Sequence, residues 1–344
     1  MKKVNPLLKS FIVISFLTSS LRTQANPIDD YLITVEKDFD SAPLAKRYGI
    51  VSKYLNLTYL CSLKSGDELD NNQLTSKVGS ASVRYRDEKI TAIYHNQTNP
   101  LALAISLGKR NLVSKFLSVV EDANDKALAV WGYRQIYTLA HVALDPQFPE
   151  VSRNVPIEAR LEIIDALAEK EANFNKVIKW GGYKNPPLAA GYPSGFQLKD
   201  VFDHVRAQAL LYGADPSLKG SCFYGINLKE EPNLLSLTLR YYIEKMKAGA
   251  NLNPTKEVNA CLKSFMLRKK GLNLDTFLKE IDEVRLKKLK LEDNVQYFNS
   301  QINILNCEKT KESERKVAFL QTEIDKLQKD IKALNRKLNR HYKY

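Results

Sequence analysis

A helix ending that recurs along the chain limits its fold more than any other feature. "LLYGADPS", Leu210–Ser217, closes an amphipathic run with Gly-Ala-Asp; related endings stand at Glu171–Asn175 ("EANFN"), Gly249–Asn253 ("GANLN") and, degraded, Asp122–Asp125 ("DAND"). Each follows an apolar-periodic run: "NLVSKFLSVV", "ARLEIIDALAEK", "VFDHVRAQALLY" and "RYYIEKMKA". Glycine adopts the left-handed conformation that stops a helix without a Cβ penalty, alanine packs beneath, and Asp or Asn starts the next turn. Upstream of each run a cap or turn-former precedes a short apolar helix: "NPLALA" at Asn99–Ala104, "TLAHVA" at Thr138–Ala143, "PPLAAG" at Pro186–Gly191 and "NLLSLT" at Asn233–Thr238. The repeated unit is therefore a helix pair followed by a loop, and the fold class it implies is all-α.

The pattern resembles the ankyrin-repeat family, whose unit opens with a Thr-Pro-Leu-His-x-Ala helix start and closes with Gly-Ala-Asp. In the best copy, Asn99–Asp125, the residues Pro100, Leu101, Ala104, Gly108, Leu112, Val113, Phe116 and Leu117 fall where that family places Pro, Leu, Ala, the inter-helix Gly and the second-helix apolars. In the next copy Thr138, Leu139, His141 and Ala143 match the opening, and Ile163, Ile164 and Leu167 the second helix. Intervals between helix starts are about 39, 48 and 47 residues rather than the family's 33, with the excess in "DPQFPEVSRNVP", "GYPSGFQLKD" and "LKGSCFYGINLKEEP". The resemblance implies an ankyrin-like helical solenoid over residues 99–274, with a concave face and projecting finger loops that bind other proteins. Residues 26–98 read as an N-terminal helical cap, "PLAKRYGIVSKYLNLTYLCSL" being its clearest helical run. No run alternates strongly enough to demand a sheet; "SASVRYRDEKITAIYH", Ser80–His95, reads as loop or irregular helix.

After about Asp275 the pattern changes. Val317, Leu320, Ile324, Leu327, Ile331, Leu334 and Leu338 alternate spacings of three and four, as in a coiled-coil seam. An earlier seam, Leu291, Val295, Phe298, Ile302 and Leu305, has the same spacing in a different phase, and "NCEKTKESERK" between them holds neither Pro nor Gly. Residues 275–344 therefore form either one long helix with a stutter, self-associating through 317–338, or two helices folded back as a hairpin.

The first 25 residues read as a secretory signal: basic "MKKVNPLLK", apolar "FIVISFL", then a small residue, Ala25, at the expected cut. That places the chain in the periplasm or outside the cell. The four cysteines, Cys61, Cys222, Cys261 and Cys307, are widely spaced and choose no pairing. A net charge of +13 over 344 residues falls to roughly +9 without the signal and is dispersed along the chain. Such a dispersed excess reads as a solubility feature rather than a nucleic-acid footprint. Binding to an anionic surface through the basic tail "NRKLNRHYKY" is the weaker alternative.

Chemistry is sparse. The four histidines, His95, His141, His204 and His341, form no metal motif, and no phosphate loop or nucleophile elbow occurs. No catalytic residue, cofactor or metal is expected; an enzyme would need a nonstandard site in the insertions, "GYPSGFQLKD" being the oddest. Against this background the loops leading into the helix pairs concentrate aromatics beside Gly and cations: "WGYR", "KWGGYK" and "CFYG". Both Trp of the chain lie there. Trp131, Tyr133, Arg134, Trp180, Tyr183, Lys184, Phe223 and Tyr224 are the expected partner-binding residues, since Trp, Tyr and Arg dominate protein interfaces. The function this supports is recognition of another protein; the export signal, ankyrin-like units and coiled-coil-like end together resemble bacterial proteins delivered to a host, a resemblance that implies an effector.

Overall fold

The computed structural model describes residues 27–53, 55–61, 92–132, 135–145, 155–180, 183–190, 199–221, 223–307 and 310–341. The signal reading of residues 1–25, most of the insertions at 145–156 and 191–200, and Cys222 lie outside the described residues. The chain divides into two compact units, Met1–Asn227 and Leu228–Tyr344, and both are predominantly helical.

In the first unit the helices form two rows. One contains α3 (Pro100–Ser106), α5 (Leu139–Leu144) and a 3-10 turn at Pro187–Ala189; the other contains α4 (Arg110–Leu117), α6 (Ile157–Glu169) and α7 (Lys199–Leu211). Successive members of each row pack on one another, α3 on α5 and α5 on the 3-10 turn, α4 on α6 and α6 on α7. The burial follows from composition. Every residue of α3 and α5 is buried, as expected of helices apolar all round. α4 and α6 are one-sided and bury Leu112, Val113, Phe116 and Leu117, and Ile163, Ile164 and Leu167. At about 1.5–3 kcal/mol for each such side chain, these residues are the main cohesion of the unit. Complete burial of α3 and α5 corrects the expectation of a concave binding face built on the first helices: they present nothing to solvent.

Three of the four recurring endings close helices as expected: Glu171, Gly213 and Gly249 have positive φ, as does the inter-helix Gly108, whereas the degraded copy at Asp122–Asp125 has no left-handed residue and α4 ends earlier, at Leu117. The amide after each of these left-handed residues reaches back to a carbonyl five residues earlier, Lys109 to Ala104, Ala172 to Leu167, Ala214 to Ala209 and Ala250 to Lys245, at 3.0–3.1 Å. Ala172 and Ala214 are buried under these turns, and Ala123 of the degraded copy is buried as well.

Preceding the rows are α1 (Pro27–Ser41) and α2 (Leu44–Val51), with Leu32, Val35, Phe39 and Val51 buried and the Phe39 and Phe116 rings 5.2 Å apart. Lys115 bridges Glu36 and Asp40, each at 2.8 Å, on the half-open rim of this contact. Such exposed pairs contribute at most about 1 kcal/mol, so apolar burial decides the packing. The helical reading of this region fails at Leu55–Cys61, and the reading of Ser80–His95 as loop or irregular helix fails at Ala92–His95, residues 62–91 lying outside the described residues. Leu55–Cys61 is a strand, β1, paired antiparallel with β2 (Ala92–Thr98) in the register Leu55↔Thr98 to Cys61↔Ala92. The alternation Leu55, Leu57, Tyr59, Cys61 has the period of two that a strand requires. The first two finger loops also contain short strands, so sheet pairing supplements the helical framework where none was expected.

In the second unit α8 (Pro232–Ala248) is one continuous helix. It spans both "NLLSLT" and "RYYIEKMKA", so the fourth copy is not a helix pair; nothing between Thr238 and Arg240 stops a helix. α9 (Lys256–Lys270) starts at the Thr255 cap and ends at left-handed Gly271; α10 (Leu274–Leu305) starts at the Asn273 cap. α10 and α11 (Lys311–His341) pack along one another across the short turn between them, so the segment is an antiparallel hairpin rather than one rod. Thr310 and Ser313 cap the start of α11 with a reciprocal box, each backbone N–H donating to the other's hydroxyl at 3.0 Å.

An antiparallel pair counts down one helix as it counts up the other. Matching the two seams back from the turn pairs Phe298 with Val317, Val295 with Leu320, Leu291 with Ile324, Val284 with Ile331, Ile281 with Leu334 and Phe277 with Leu338. The phase difference between the seams is the signature of this fold-back. The 317–338 seam is used inside the hairpin, Ile324 and Leu338 being buried and the rest half-buried.

Two substitutions test the helix endings in opposite directions. Glu171→Gly relieves a left-handed non-glycine residue, φ 55°, and should raise stability by about 1 kcal/mol. Gly108→Ala puts a Cβ into the Val155 side chain at φ 66° and should cost about 2 kcal/mol or more. Denaturant melts of the two variants measure both.

Candidate binding surface on the hairpin row

The first two finger loops are β-hairpins. β3 (Val130–Gly132) pairs with β4 (Gln135–Tyr137) in the register Val130↔Tyr137, Trp131↔Ile136, Gly132↔Gln135. β5 (Ile178–Trp180) pairs with β6 (Tyr183–Asn185), Ile178↔Asn185, Lys179↔Lys184, Trp180↔Tyr183. β1, β2, β3 and β4 form one sheet in that order, β2 meeting β3 at Gln97↔Trp131, and β4 lies against β5. Three hairpins thus stand side by side, each leading into a first-row helical element.

Their roots are held by buried polar groups. Asn99, fully buried, accepts from the Ala102 N–H at 2.8 Å to cap α3 and donates to the Leu128 carbonyl at 3.0 Å, just before β3. His141, also buried, performs the equivalent task one unit on. Its Nε2 lies 3.1 Å from the Asn185 carbonyl at the end of β6, and its Nδ1 lies 2.8 Å from Thr138 Oγ1 and 3.3 Å from the Thr138 N–H. A carbonyl only accepts, so the proton is on Nε2 and Nδ1 is the acceptor, which makes the ring neutral. Burial lowers its pKa to about 4, and the Tyr137 ring meets it edge-on at 5.9 Å. With both nitrogens engaged, His141 joins a helix start to the next hairpin. Burial raises the Tyr137 hydroxyl, with Asp145 adding to the effect, and lowers buried Arg160 to about 10.

Two asparagines set the spacing between hairpin bases. Asn124 donates to the Glu171 carbonyl at 3.0 Å and accepts from the Asn173 N–H at 2.7 Å. Asn175 does the same to Gly213 and Asp215, at 2.7 and 2.6 Å. Each amide satisfies one carbonyl and one N–H of the next turn, groups that have no partner within the helix at its end. These clamps were missed in the sequence; their only signal was Asn in "DAND" and "EANFN".

Of the expected site residues, Trp131 is in β3, Trp180 and Tyr183 form the end rung of the β5–β6 hairpin, and Lys184 is opposite Lys179. Tyr133 and Arg134 lie outside the described residues. The third finger is a closed loop, not a hairpin: the Ile226 N–H reaches the Pro216 carbonyl and the Gly220 N–H that of Phe223, both at 2.7 Å. Gly225 permits this at φ 86°, where a Cβ would stand 2.9 Å from the Pro216 oxygen. The loop separates its aromatics. Phe223 is buried and anchors it, which removes Phe223 from the binding group, whereas Tyr224 is 88% exposed. Among the described residues no group of His, Cys, Asp and Glu is arranged to hold a metal, and no helix is long and apolar enough to cross a membrane. Cys261 is a buried free thiol and Cys307 an exposed one. No family model matches the chain, and no curated protein or solved structure is significantly similar to it.

The His141 environment sets a pH dependence. Its folded pKa, about 4, lies below the ordinary 6.5, so between these values the unfolded chain takes up a proton that the folded chain refuses. Stability present above pH 6.5 is therefore lost as pH falls toward 4, by up to about 3 kcal/mol. Thermal melts from neutral pH downward should show a steeper loss for the wild type than for His141→Gln.

Proposed function

We propose that the chain is a protein-recognition module that engages a partner through its row of hairpins and the adjoining Tyr224 loop. The observation that carries this reading is the alignment of three hairpins side by side, rooted through Asn99 and His141, with Trp131 and Trp180 in their strands. Roots held by buried hydrogen bonds preorganise the row, so little ordering entropy is lost on binding. Aromatic residues in these strands, with Lys179 and Lys184 paired in the register of the same hairpin, match the composition of interface hot spots.

We further read the first unit as a divergent ankyrin-like solenoid with α1 and α2 as its cap, supported by the two helix rows and the repeated left-handed endings. The basic and apolar N-terminus supports export, to the periplasm or beyond as a delivered effector. In this scheme the buried first-row helices are scaffold, and recognition belongs to the strands and loops.

Affinity capture with residues 26–344, beside a Trp131→Ala, Trp180→Ala double variant, tests the reading. The expected result is a specific partner lost in the variant with the melting temperature unchanged. Retained capture with a lowered melting temperature makes both Trp internal anchors and overturns it.

A further inference from the structure

α11 carries a second stripe beside the seam that faces α10. Glu312, Lys316, Phe319, Glu323 and Lys326 repeat the three-four spacing roughly 110° round the helix from the seam. Phe319 at the centre is 65% exposed. The charges on either side are paired within the helix, Lys316 with Glu312 at 2.8 Å and Lys326 with Glu323 at 2.5 Å. Tyr297 and Ile304 of α10, 59% and 57% exposed, occupy the same heptad position on their helix as Phe319 does on α11. In an antiparallel pair, equivalent flanking positions share one edge. The matching that pairs Val295 with Leu320 brings Tyr297 near the level of Phe319, with Ile304 two turns nearer the tip. One edge of the hairpin thus exposes three large apolar side chains.

The rim says what covers them. Its self-cancelling pairs favour neither an acidic nor a basic partner. Read from Glu312 to Lys326, the order is acid, base, Phe, acid, base; read backwards, every charge is replaced by its opposite. A second α11 laid antiparallel across a two-fold axis at Phe319 therefore sets Glu312 opposite Lys326 and Lys316 opposite Glu323, each pair occurring twice. We propose that this edge is an isologous dimer contact between two copies of the chain, with the Phe319 rings at the axis and Tyr297 and Ile304 alongside. It differs from self-association through the 317–338 seam, which α10 already occupies, and it is independent of the hairpin row.

Sedimentation equilibrium of the full chain, with reductant present so that exposed Cys307 cannot cross-link, reads the contact directly. The wild type dimerises, and Phe319→Glu is monomeric with unchanged helical circular dichroism. Lys316→Glu or Glu323→Lys alone weakens the dimer by about tenfold or more, by setting like charges face to face. The double swap Lys316→Glu, Glu323→Lys restores it to within about threefold, because both facing pairs are re-formed with reversed sign. A wild type that stays monomeric up to the highest soluble concentration, a dimer indifferent to Phe319→Glu, or a double swap as weak as the single changes would each overturn the proposal.

Discussion

The first unit depends on satisfying backbone groups at the ends of its helices. A helix that stops inside a stack leaves carbonyls and N–H groups without partners in the helix itself. Here the left-handed residues Gly108, Glu171 and Gly213 return one amide to the helix, and Asn124 and Asn175 take up one carbonyl and one N–H of the following turn. Each clamp ties a turn to its neighbour, so the spacing of the helix rows and of the hairpin bases is set by the same bonds. Asn99 and His141 extend the arrangement inward, where an unpaired polar group would cost most.

That arrangement separates scaffold from surface. α3 and α5 are so fully buried that they can contribute only cohesion, and the sequence elements that project are the irregular ones between helices. Phe223 and Tyr224 show the division at the smallest scale. Neighbours in the chain, they are sent to opposite environments by a loop that closes on Gly225. In the second unit the hairpin gives the same separation by periodicity: the a/d seams serve α10 against α11, and the next stripe round the helix is left to solvent.

Local endings and apolar spacing were legible because they depend on nearest neighbours. The helix-stopping role of Gly213 and Gly249, the core positions Leu112, Val113, Phe116, Ile163, Ile164 and Leu167, and the Asn99 and Thr138 caps all follow from short-range rules. Where local signals were weak or shared, sequence reasoning failed. Leu55–Cys61 has the apolar content of a helix and the alternation of a strand, and pairing with Ala92–Thr98 decides for the strand. "NLLSLT" looks like a repeat opening, yet without a breaker after it the helix runs on to Ala248.

The sequence by itself determined the helical class, the recurrent left-handed endings and the heptad seams, since each is written in spacings of three to five residues. Only the tertiary structure decided that the seams fold against each other, that the first two fingers are paired strands, and that the first-row helices are sealed from solvent. Those outcomes depend on which distant segment supplies the missing partner, a choice made by packing and hydrogen-bond satisfaction across the fold, where local propensity is silent.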